Sequence, residues 1–597
     1  LFKAVFKKYD ALNNSVQENV QAMRVVKSFV REDYETEKFS AASDSVRKDF
    51  LKAEKILALN SPVMQFCVYT SMILISYFAA KLIVTSGGTY LGVGSLTSMI
   101  TYSMQILMSL MMLSMIFVML TMAQASGKRI CEVLDETSSL QNPAEPVYDV
   151  KNGDVDFDHV NFKYSAAAKR SALSDVDFHV RSGQTVGIIG GTGSSKTSLV
   201  QLICRLYDVT DGSVRVGGVD VRQYDLETLR NQVAVVLQKN VLFSGTIKEN
   251  LRWGDANASD EELQRACELA CADEFIQQMP DKYDTYIEQG GTNVSGGQKQ
   301  RLCIARALLK KPKILILDDS TSAVDTKTDA KIRAALRSEI PETTKFIIAQ
   351  RISSIQDADL ILVLEGGQID AMGTSSCWLR TGSTGKSMNL RTRREVLTMA
   401  NHPGKAPRAP MIGAKADLKP LGRVIGLLFR DYPAMLIITM LCIIISAVVG
   451  ILPAIYIETV TSYIEDGLSL GWDGVQGKIL HALATMVGIY LAGLACTAVY
   501  TQLMAHVTQG FLHKLRTRMF AGMQKLPIRY FDQNSRGDIM SYYTNDIDTL
   551  RQLVSQSLPQ LFASGLTVLG LLLFMLYFSI PLMLIVFLGI FFMTQAT

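Results

Sequence analysis

The first residues that could do chemistry form a glycine-rich loop, where a predicted strand over 185–189 meets a predicted helix over 198–206. The loop consists of Gly190, Gly191, Thr192, Gly193, Ser194, Ser195, Lys196 and Thr197. In such a loop the backbone N–H groups and the helix N-terminus face an anion. Lys196 can then reach terminal phosphates, and the Thr197 hydroxyl can bind Mg²⁺. Taken alone, the stretch also fits a glycine-rich turn with a surface lysine.

Ser195 departs from the phosphate-loop pattern, which has glycine just before the lysine. A non-glycine residue tolerates positive φ poorly. The sequence therefore predicts a phosphate loop in which the backbone at Ser195 is less favourable than in the usual pattern.

A second chemical element is an apolar strand that ends in two carboxylates. Residues 313–317 read Lys-Ile-Leu-Ile-Leu, and Asp318 and Asp319 follow directly. A hydrophobic strand that delivers an acid beside a phosphate loop is how nucleotide-hydrolysing enzymes hold Mg²⁺. We assign that metal-binding role to Asp318.

Further motifs between and around these elements resemble the ATP-binding cassette (ABC) transporter family. The run Ser295, Gly296, Gly297, Gln298 resembles the family signature, and residues 322–325 resemble its D-loop. Gln238 matches the Q-loop glutamine, and Tyr164 lies where the family stacks an aromatic ring on adenine. Order and spacing agree over about 154–374, although a lone Gln238 or Tyr164 would more often be a surface amide or a packing residue.

The resemblance implies ATP and Mg²⁺ as cofactors and assigns roles at the site. It implies that Thr197, Asp318 and Gln238 contact the metal. It makes Asp319, Gln350 and Gln238 the catalytic positions. The phosphate loop, Tyr164 and the signature residues 295–298 would bind ATP.

Two of the catalytic positions depart from the family pattern. The family's base is a Glu and its switch residue is a His, whereas this chain has Asp319 and Gln350. Asp is one methylene shorter, and a displacement of about 1 Å can cost on the order of 10²-fold in rate. A glutamine cannot carry the charge of a protonated histidine. We expect a site that binds ATP and hydrolyses it slowly; the alternative is a working site with tolerated variants.

An intact signature implies a partner, because the family binds each ATP between two cassettes. The signature of this chain would serve the ATP of a second subunit with a competent site. We therefore expect a heterodimer. The natural partner is the subunit that begins at about Met399, and we expect the neighbouring gene to encode it.

Long uncharged runs predict membrane helices in a chain that is 48% hydrophobic and 19% charged. The runs cover 56–80, 82–127, 432–457, 479–512 and 552–597. About 20 apolar residues span the hydrocarbon, and buried core helices of a soluble protein are seldom so long or so many. Basic residues lie before 432 and after 512, whereas 458–477 holds acids and no base. The positive-inside rule then predicts that the basic flanks are cytoplasmic and the acidic loop is outside. Together with the family resemblance, this implies a plasma-membrane protein with its cassette in the cytoplasm.

Two charged stretches resemble the cytoplasmic loops of the exporter class of the family. Residues 16–29 resemble the second loop and residues 531–548 the first. In the family these loops dock on the cassettes and carry their motion to the membrane. Without the resemblance, solvated extensions of the membrane helices would be the simpler interpretation.

These patterns predict a multi-domain fold: partial all-α transmembrane exporter domains and an α/β P-loop ATPase cassette with an antiparallel β lobe and a helical subdomain. We divide the chain at 1–130 (last helices of one transmembrane domain), 150–374 (cassette), 375–420 (basic linker) and 421–597 (first helices of a second transmembrane domain). Residues 375–398 leave the family pattern, so a reading-frame error and a natural linker both stay open. Because Leu1 is not Met and Thr597 lies inside an apolar run, we expect a fragment.

The predicted function is ATP-driven export of a substrate across the membrane by alternating access. A nucleotide-gated channel and a non-transport ABC ATPase are the alternatives. The substrate is not predicted, because apolar walls suit drugs, lipids and peptides equally. A net charge of +4 without a basic patch interleaved with aromatics argues against nucleic acid as a partner. The nine Cys show no metal-ligand spacing and are interpreted as isolated thiols.

Overall fold

A computed structural model describes residues 12, 15–16, 18–20, 22–86, 92–320, 323–374 and 419–596. The described residues belong to two compact units. The membrane unit comprises the described parts of Leu1–Asp135, Gly413–Met523 and Gly537–Thr597. The cassette unit comprises those of Glu136–Ile412 and Gln524–Arg536. The segment 375–398, where the frame error was predicted, lies outside the described residues, and the four domain boundaries stay predictions.

Before the cassette, the described residues form three helices: α1 (Met23–Ser28), α2 (Glu32–Ser86) and α3 (Val93–Asp135). At 1.5 Å per residue the 55 residues of α2 extend for about 80 Å, far beyond the roughly 30 Å of a hydrocarbon layer. Only its second part, Gln65–Ser86, is apolar enough to span a membrane. The first turn of α2 carries Glu32, Asp33 and Glu35, which favour the positive end of the helix dipole.

The cassette unit contains twelve strands among the described residues. They are β1 (Val155–Phe162), β2 (Leu173–Val180), β3 (Thr185–Gly190), β4 (Asp211–Val216), β5 (Val219–Asp220), β6 (Val233–Val236), β7 (Gly245–Thr246), β8 (Tyr286–Ile287), β9 (Ile314–Asp318), β10 (Thr344–Ile348), β11 (Leu360–Glu365) and β12 (Gln368–Gly373). A six-stranded sheet has the order β12-β11-β3-β10-β9-β6 and is parallel except for β12. An antiparallel sheet has the order β2-β1-β4-β5, and β7 pairs with β8. This is the predicted core sheet with an antiparallel lobe.

Strand β9, between β10 and the edge strand β6, is covered on both faces because its side chains on both sides are apolar. All five of its residues are buried, as expected for a parallel strand covered on both sides. Leu315 and Leu317 pack into the cluster that includes the helical subdomain, whereas Ile314 and Ile316 pack into the cluster that includes the antiparallel lobe. Because successive side chains of a strand point to opposite faces, β9 contributes to both of these hydrophobic clusters.

In the described part of the cassette, seven helices lie between these strands: α4 (Lys196–Ile203), α5 (Leu226–Gln232), α6 (Ile247–Leu251), α7 (Asp260–Leu269), α8 (Asp273–Ile276), α9 (Gly296–Leu309) and α10 (Thr326–Glu339). Helices α6, α7 and α9 each begin at a capping box, with Thr246, Ser259 and Ser295 as N-caps. In a capping box the cap side chain and the third helical residue satisfy each other's free backbone N–H groups. The helices from α6 to α9 form the predicted helical subdomain, so the predicted fold class is confirmed.

From residue 419 to residue 596 the chain forms eight helices: α11 (Lys419–Asp431), α12 (Pro433–Leu470), α13 (Trp472–Gln524), α14 (Ile528–Gln533), α15 (Arg536–Ser541), α16 (Ile547–Gln552), α17 (Leu558–Phe578) and α18 (Ile580–Ala596). Among the described residues, five helical stretches are long and apolar enough to cross a membrane. They are Gln65–Ser86, Val93–Asp135, Pro433–Glu465, Trp472–Gln524 and Arg536–Leu576. Within the membrane unit, α3 packs against α12 and α17 in one helix bundle, so helices from both ends of the sequence share an apolar core.

An ion pair between a half-exposed arginine and a buried carboxylate ties the end of α3 to the stretch between α15 and α17. Two π-helical turns, Tyr542–Asp546 and Leu553–Ser557, flank α16. Asp546 ends the first of them with its side chain only 1% exposed. Arg129 on α3 donates to it through both Nε, at 2.8 Å, and Nη2. A buried carboxylate needs such a partner because desolvation otherwise makes its charge costly.

We predict that Arg129→Met lowers the free energy of unfolding by about 2 kcal/mol, because Asp546 keeps its burial and loses its charged donor. Thermal unfolding of the detergent-purified chain measures the effect. Arg551→Met is the control, since the Arg551–Asp548 pair is exposed at both ends and contributes about 0.5 kcal/mol or less. Arg129→Met with Asp546→Leu should recover most of the loss. Equal destabilisation by Arg129→Met and Arg551→Met would contradict the assignment.

Candidate functional site

The glycine-rich loop joins β3 to α4 and has the backbone geometry of an anion cradle. Gly193 has φ +82°, and Ser195 has φ +69° in the left-handed region, directly before the helix starts. A Cβ on Gly190 would come within 2.2 Å of the Leu364 carbonyl oxygen, so only glycine fits there. Ser195 thus holds a conformation that costs a non-glycine residue about 1 kcal/mol or more.

The Lys196 ammonium group lies inside this loop. Its Nζ donates to the carbonyl oxygens of Gly190 and Gly191, at 2.9 Å each, and to Ser194 Oγ at 3.3 Å. Burial lowers the pKa of Lys196, and the charges of Asp318 and Asp319 act in the opposite direction. The lysine is therefore a partly desolvated cation with three loop oxygens around it, which makes an incoming anion a strong competitor for its N–H groups.

Thr197 and Asp318 meet across the junction of α4 and β9. The Thr197 hydroxyl donates to Asp318 Oδ2 at 2.9 Å, and Asp318 is 3% exposed. Burial raises the pKa of Asp318; the Asp319 charge adds to this, while Thr197 and Lys196 oppose it. A hydroxyl and a carboxylate are the oxygen donors that Mg²⁺ prefers, and a bound cation would stabilise the costly buried charge. The two residues thus fit the metal that the sequence predicts.

Asp319 is held by the two glutamines that the sequence places at the catalytic positions. Its backbone has φ +49°, a conformation that Asp adopts more readily than most residues, and its N–H donates to the Ile348 carbonyl at 3.0 Å. Gln350 Nε2 donates to Asp319 Oδ2 at 2.8 Å, and Gln238 Nε2 approaches the same oxygen at 3.4 Å. The structure therefore brings all three residues together.

Tyr164 forms the edge of an aromatic cluster. Its ring is 41% exposed and stands edge-on to Phe162 and Tyr207, with centroids 4.8 and 5.1 Å away. Its hydroxyl shares a hydrogen bond of 2.7 Å with Ser198 Oγ, on the first turns of α4. A half-exposed aromatic ring fixed beside the phosphate loop suits the stacking of a planar base.

Tyr207 and Asp532 are neighbours of the site that sequence reasoning missed. The Tyr207 hydroxyl donates to an Asp532 carboxylate oxygen, which lies 325 positions further along the chain. Burial, with the Asp532 hydrogen bond and charge, raises the pKa of Tyr207 above its ordinary range. The predicted loop resemblance at 531–548 was the available signal, but it named no partner in the cassette.

The signature residues lie at the start of α9, and their types follow from local geometry. Ser295 Oγ accepts from the Gln298 N–H at 3.2 Å, and Gln298 Oε1 accepts from the Ser295 N–H at 2.8 Å. A Cβ on Gly297 would lie 2.9 Å from the Ala323 carbonyl, whereas one on Gly296 would only touch the Ala323 side chain at 3.5 Å. The turn thus presents a capped helix N-terminus, a geometry suited to an anion.

Comparison with protein families agrees with this geometry. The ABC transporter model matches residues 173–322, and the ABC transporter transmembrane region model matches residues 1–123 and 436–596. The first covers the phosphate loop, the signature and β9. The second covers apolar helices on both sides of the cassette.

Curated relatives show the same combination. The uncharacterized ABC transporter ATP-binding protein YknU of Bacillus subtilis is 36% identical over 67% of this chain and 68% of its own. YfiB of the same species, also named an uncharacterized ABC transporter ATP-binding protein, is 39% identical over 63% of this chain, which spans 64% of that relative. A multidrug efflux ATP-binding/permease protein of Mycobacterium tuberculosis is 29% identical over 97% of this chain and 49% of its own.

A solved structure supports the fold. A bacterial Atm1-family ABC exporter with ATP bound matches 66% of this chain and 69% of its own, with a TM-score of 0.56 and 29% identity. The resemblance inferred from the motifs is thus confirmed, as are the membrane-spanning helices. The chain belongs to the ABC transporter family, as an exporter-type integral membrane protein that carries transmembrane helices and a cytoplasmic ATP-binding cassette in one polypeptide.

Proposed function

We propose that this chain binds Mg²⁺-ATP at its cassette and uses nucleotide turnover to export a substrate across the membrane by alternating access. One observation carries the proposal: Lys196, Thr197 and Asp318 converge at the phosphate loop of a chain whose described residues include five stretches long and apolar enough to span a membrane. The same stretches argue against a non-transport ABC ATPase. The efflux named for the mycobacterial relative supports export as the direction of transport.

The residues of the loop would act mainly by position and charge. Lys196 would exchange its bonds to the carbonyls of Gly190 and Gly191 for bonds to phosphate oxygens. The backbone N–H groups and the start of α4 would face the same anion. Thr197, Asp318 and the side-chain oxygen of Gln238 would hold Mg²⁺, which supplies charge neutralisation of the phosphates when bound. Tyr164 would stack on the base.

We infer that this ATP site hydrolyses slowly, and the contacts of Asp319 support the inference. A base must accept a proton from the attacking water, but Asp319 Oδ2 already accepts from Gln350 and faces Gln238. The carboxylate is also one methylene shorter than the family's Glu, and positioning errors of about 1 Å cost on the order of 10²-fold. Gln350 adds a hydrogen-bond donor but no positive charge for the transition state.

A partner subunit follows from this proposal. The family signature is intact at Ser295, Gly296, Gly297 and Gln298, and Ser295 caps the N-terminus of α9. We propose that they complete the ATP site of a second exporter subunit that supplies the Glu and His missing here. The transporter would then be a heterodimer with one slow site and one competent site.

We predict that Asp319→Glu combined with Gln350→His raises the ATPase rate of the purified chain at least about tenfold, because the longer carboxylate and the ionisable imidazole restore base position and charge. Release of inorganic phosphate in detergent measures it. Adding Lys196→Ala to the same variant is the control, which should abolish the gain. Fast hydrolysis by the unmodified chain, or no gain in the double variant, would refute the slow-site proposal.

We predict that Asp318→Asn raises the melting temperature at pH 8 by about 2–4 °C while weakening Mg²⁺-dependent ATP binding. Because burial raises the folded-state pKa of Asp318, the folded protein holds that proton more tightly than the unfolded chain. The ionised carboxylate therefore costs stability above both pKa values, and the cost fades as pH falls through the folded pKa. The increase in melting temperature of Asp318→Asn should therefore become smaller at acidic pH.

The exposed Asp370 on β12 offers a matched control for this experiment. Asp370→Asn should change neither the melting temperature nor nucleotide binding. A loss of stability in Asp318→Asn at pH 8 would contradict the assignment of a costly buried charge.

We predict that Ser195→Gly stabilises the chain by about 1 kcal/mol and tightens binding of a fluorescent ATP analogue, because glycine adopts φ +69° without strain. The neighbouring Ser194→Gly is the contrast. It removes an acceptor of Lys196 at a residue without positive φ, so it should destabilise. Equal effects of the two substitutions would count against backbone strain at Ser195.

A further inference from the structure

Helix α3 has an unusual concentration of methionine. Eight of the 26 methionines of the chain lie within its 43 residues. Six of these side chains are between 37% and 69% exposed, namely Met104, Met108, Met111, Met112, Met115 and Met122. Met99 is fully buried, and Met119 accepts a hydrogen bond from Ser557 at 3.4 Å. The six exposed side chains therefore do not pack in the core of the helix bundle.

The exposed methionines follow the helical repeat. Positions 104, 108, 111, 115 and 122 are separated by 4, 3, 4 and 7 residues, which places them on one face of the helix. At 1.5 Å per residue this face extends for about 27 Å, close to the roughly 30 Å thickness of a hydrocarbon core. We call these five residues the methionine ladder. The opposite face, with Tyr102 and Ile106, is buried in the bundle.

The other exposed apolar faces of the membrane unit have a different composition. On α12, α13, α17 and α18 the exposed side chains of the described residues are largely leucine, isoleucine, valine and aromatic residues, with Met435 as an exception. If this face of α3 only contacted lipid, leucine would serve there as well as methionine. The ladder therefore points to a property that methionine has and leucine lacks, which is a soft sulfur donor on a flexible side chain.

We propose that the methionine ladder binds soft monovalent metal ions, Cu(I) or Ag(I), through pairs of thioether sulfurs. Thioethers are soft ligands that select such ions over Mg²⁺ or Ca²⁺. Side chains at i and i+4 or i and i+3 meet on one helix face, and three rotatable bonds let two sulfurs turn toward one ion. Neutral sulfur ligands also let a site lie at membrane depth without a buried carboxylate. This binding proposal stands independently of ATP-driven export.

Titration of the full-length chain with Ag⁺ alone tests the proposal. The chain is labelled with ¹³C at the methionine methyl groups, its accessible thiols are alkylated, and single Met→Leu variants assign the signals. We expect the resonances of Met104, Met108, Met111 and Met115 to shift together. Met23, Met372 and Met435, exposed elsewhere, serve as internal controls and should stay in place.

A variant with Met104, Met108, Met111 and Met115 all changed to Leu should weaken Ag⁺ binding at least about tenfold, because leucine keeps volume but offers no donor. Its melting temperature and its binding of a fluorescent ATP analogue should match the unmodified chain. If the quadruple variant misfolds, Met108→Leu with Met115→Leu is the milder test. No Ag⁺-dependent shifts, equal shifts at the control methionines, or unchanged affinity after leucine substitution would each overturn the proposal. Loss of ATP-analogue binding in the unmodified chain would instead count against the proposed cassette function.

Discussion

The parallel pairing of β3, β9 and β10 is the constraint on which the nucleotide site depends. Ile348 at the end of β10 is in register with Asp318 on one side and with Ile188 on the other. Carboxyl ends of parallel strands lie at one edge of a sheet, which is where open α/β folds bind ligands. Asp318 is the last residue of β9, the phosphate loop begins at Gly190 at the end of β3, and Gln350 lies two residues after the end of β10. Residues far apart in sequence thus become neighbours because the backbone places them close together, so even short side chains can meet.

That geometry also explains why the site is built at a cost in stability. The strand that places Asp318 is buried on both faces, so its carboxylate loses water and its pKa rises. The loop that holds Lys196 buries the ammonium, whose pKa falls for the same reason. Both charges are worth most to the protein when a bound anion and cation replace the missing water. Within the protein, the Thr197 hydroxyl donates to Asp318, and the carbonyls of Gly190 and Gly191 accept from Lys196.

Much of this arrangement could be predicted from the sequence because short-range patterns determine it. The apolar run that ends in two acids predicts β9, and the glycine-rich turn before a helix predicts the phosphate loop. The positive φ at Ser195 was foreseen for the same reason. Helix limits were less accurate: α3 continues to Asp135, beyond the apolar run over 82–127, and α9 begins directly after its capping residue Ser295. Caps and cytoplasmic extensions depend on polar residues that carry no apolar period.

The contacts that escaped prediction join residues hundreds of positions apart. Tyr207 with Asp532 and Arg129 with Asp546 are both side-chain pairs whose members belong to separate local patterns. A sequence shows that Asp546 is an acid near a membrane helix, but only the packed bundle shows that its carboxylate is buried. Once it is buried, an arginine partner is required, and α3 supplies it. The same helix therefore has three distinct surfaces: a packed apolar face, a basic end that neutralises a buried acid, and an exposed line of sulfur atoms. Because each of these obeys a different physical requirement, the composition of α3 cannot be explained by membrane spanning alone.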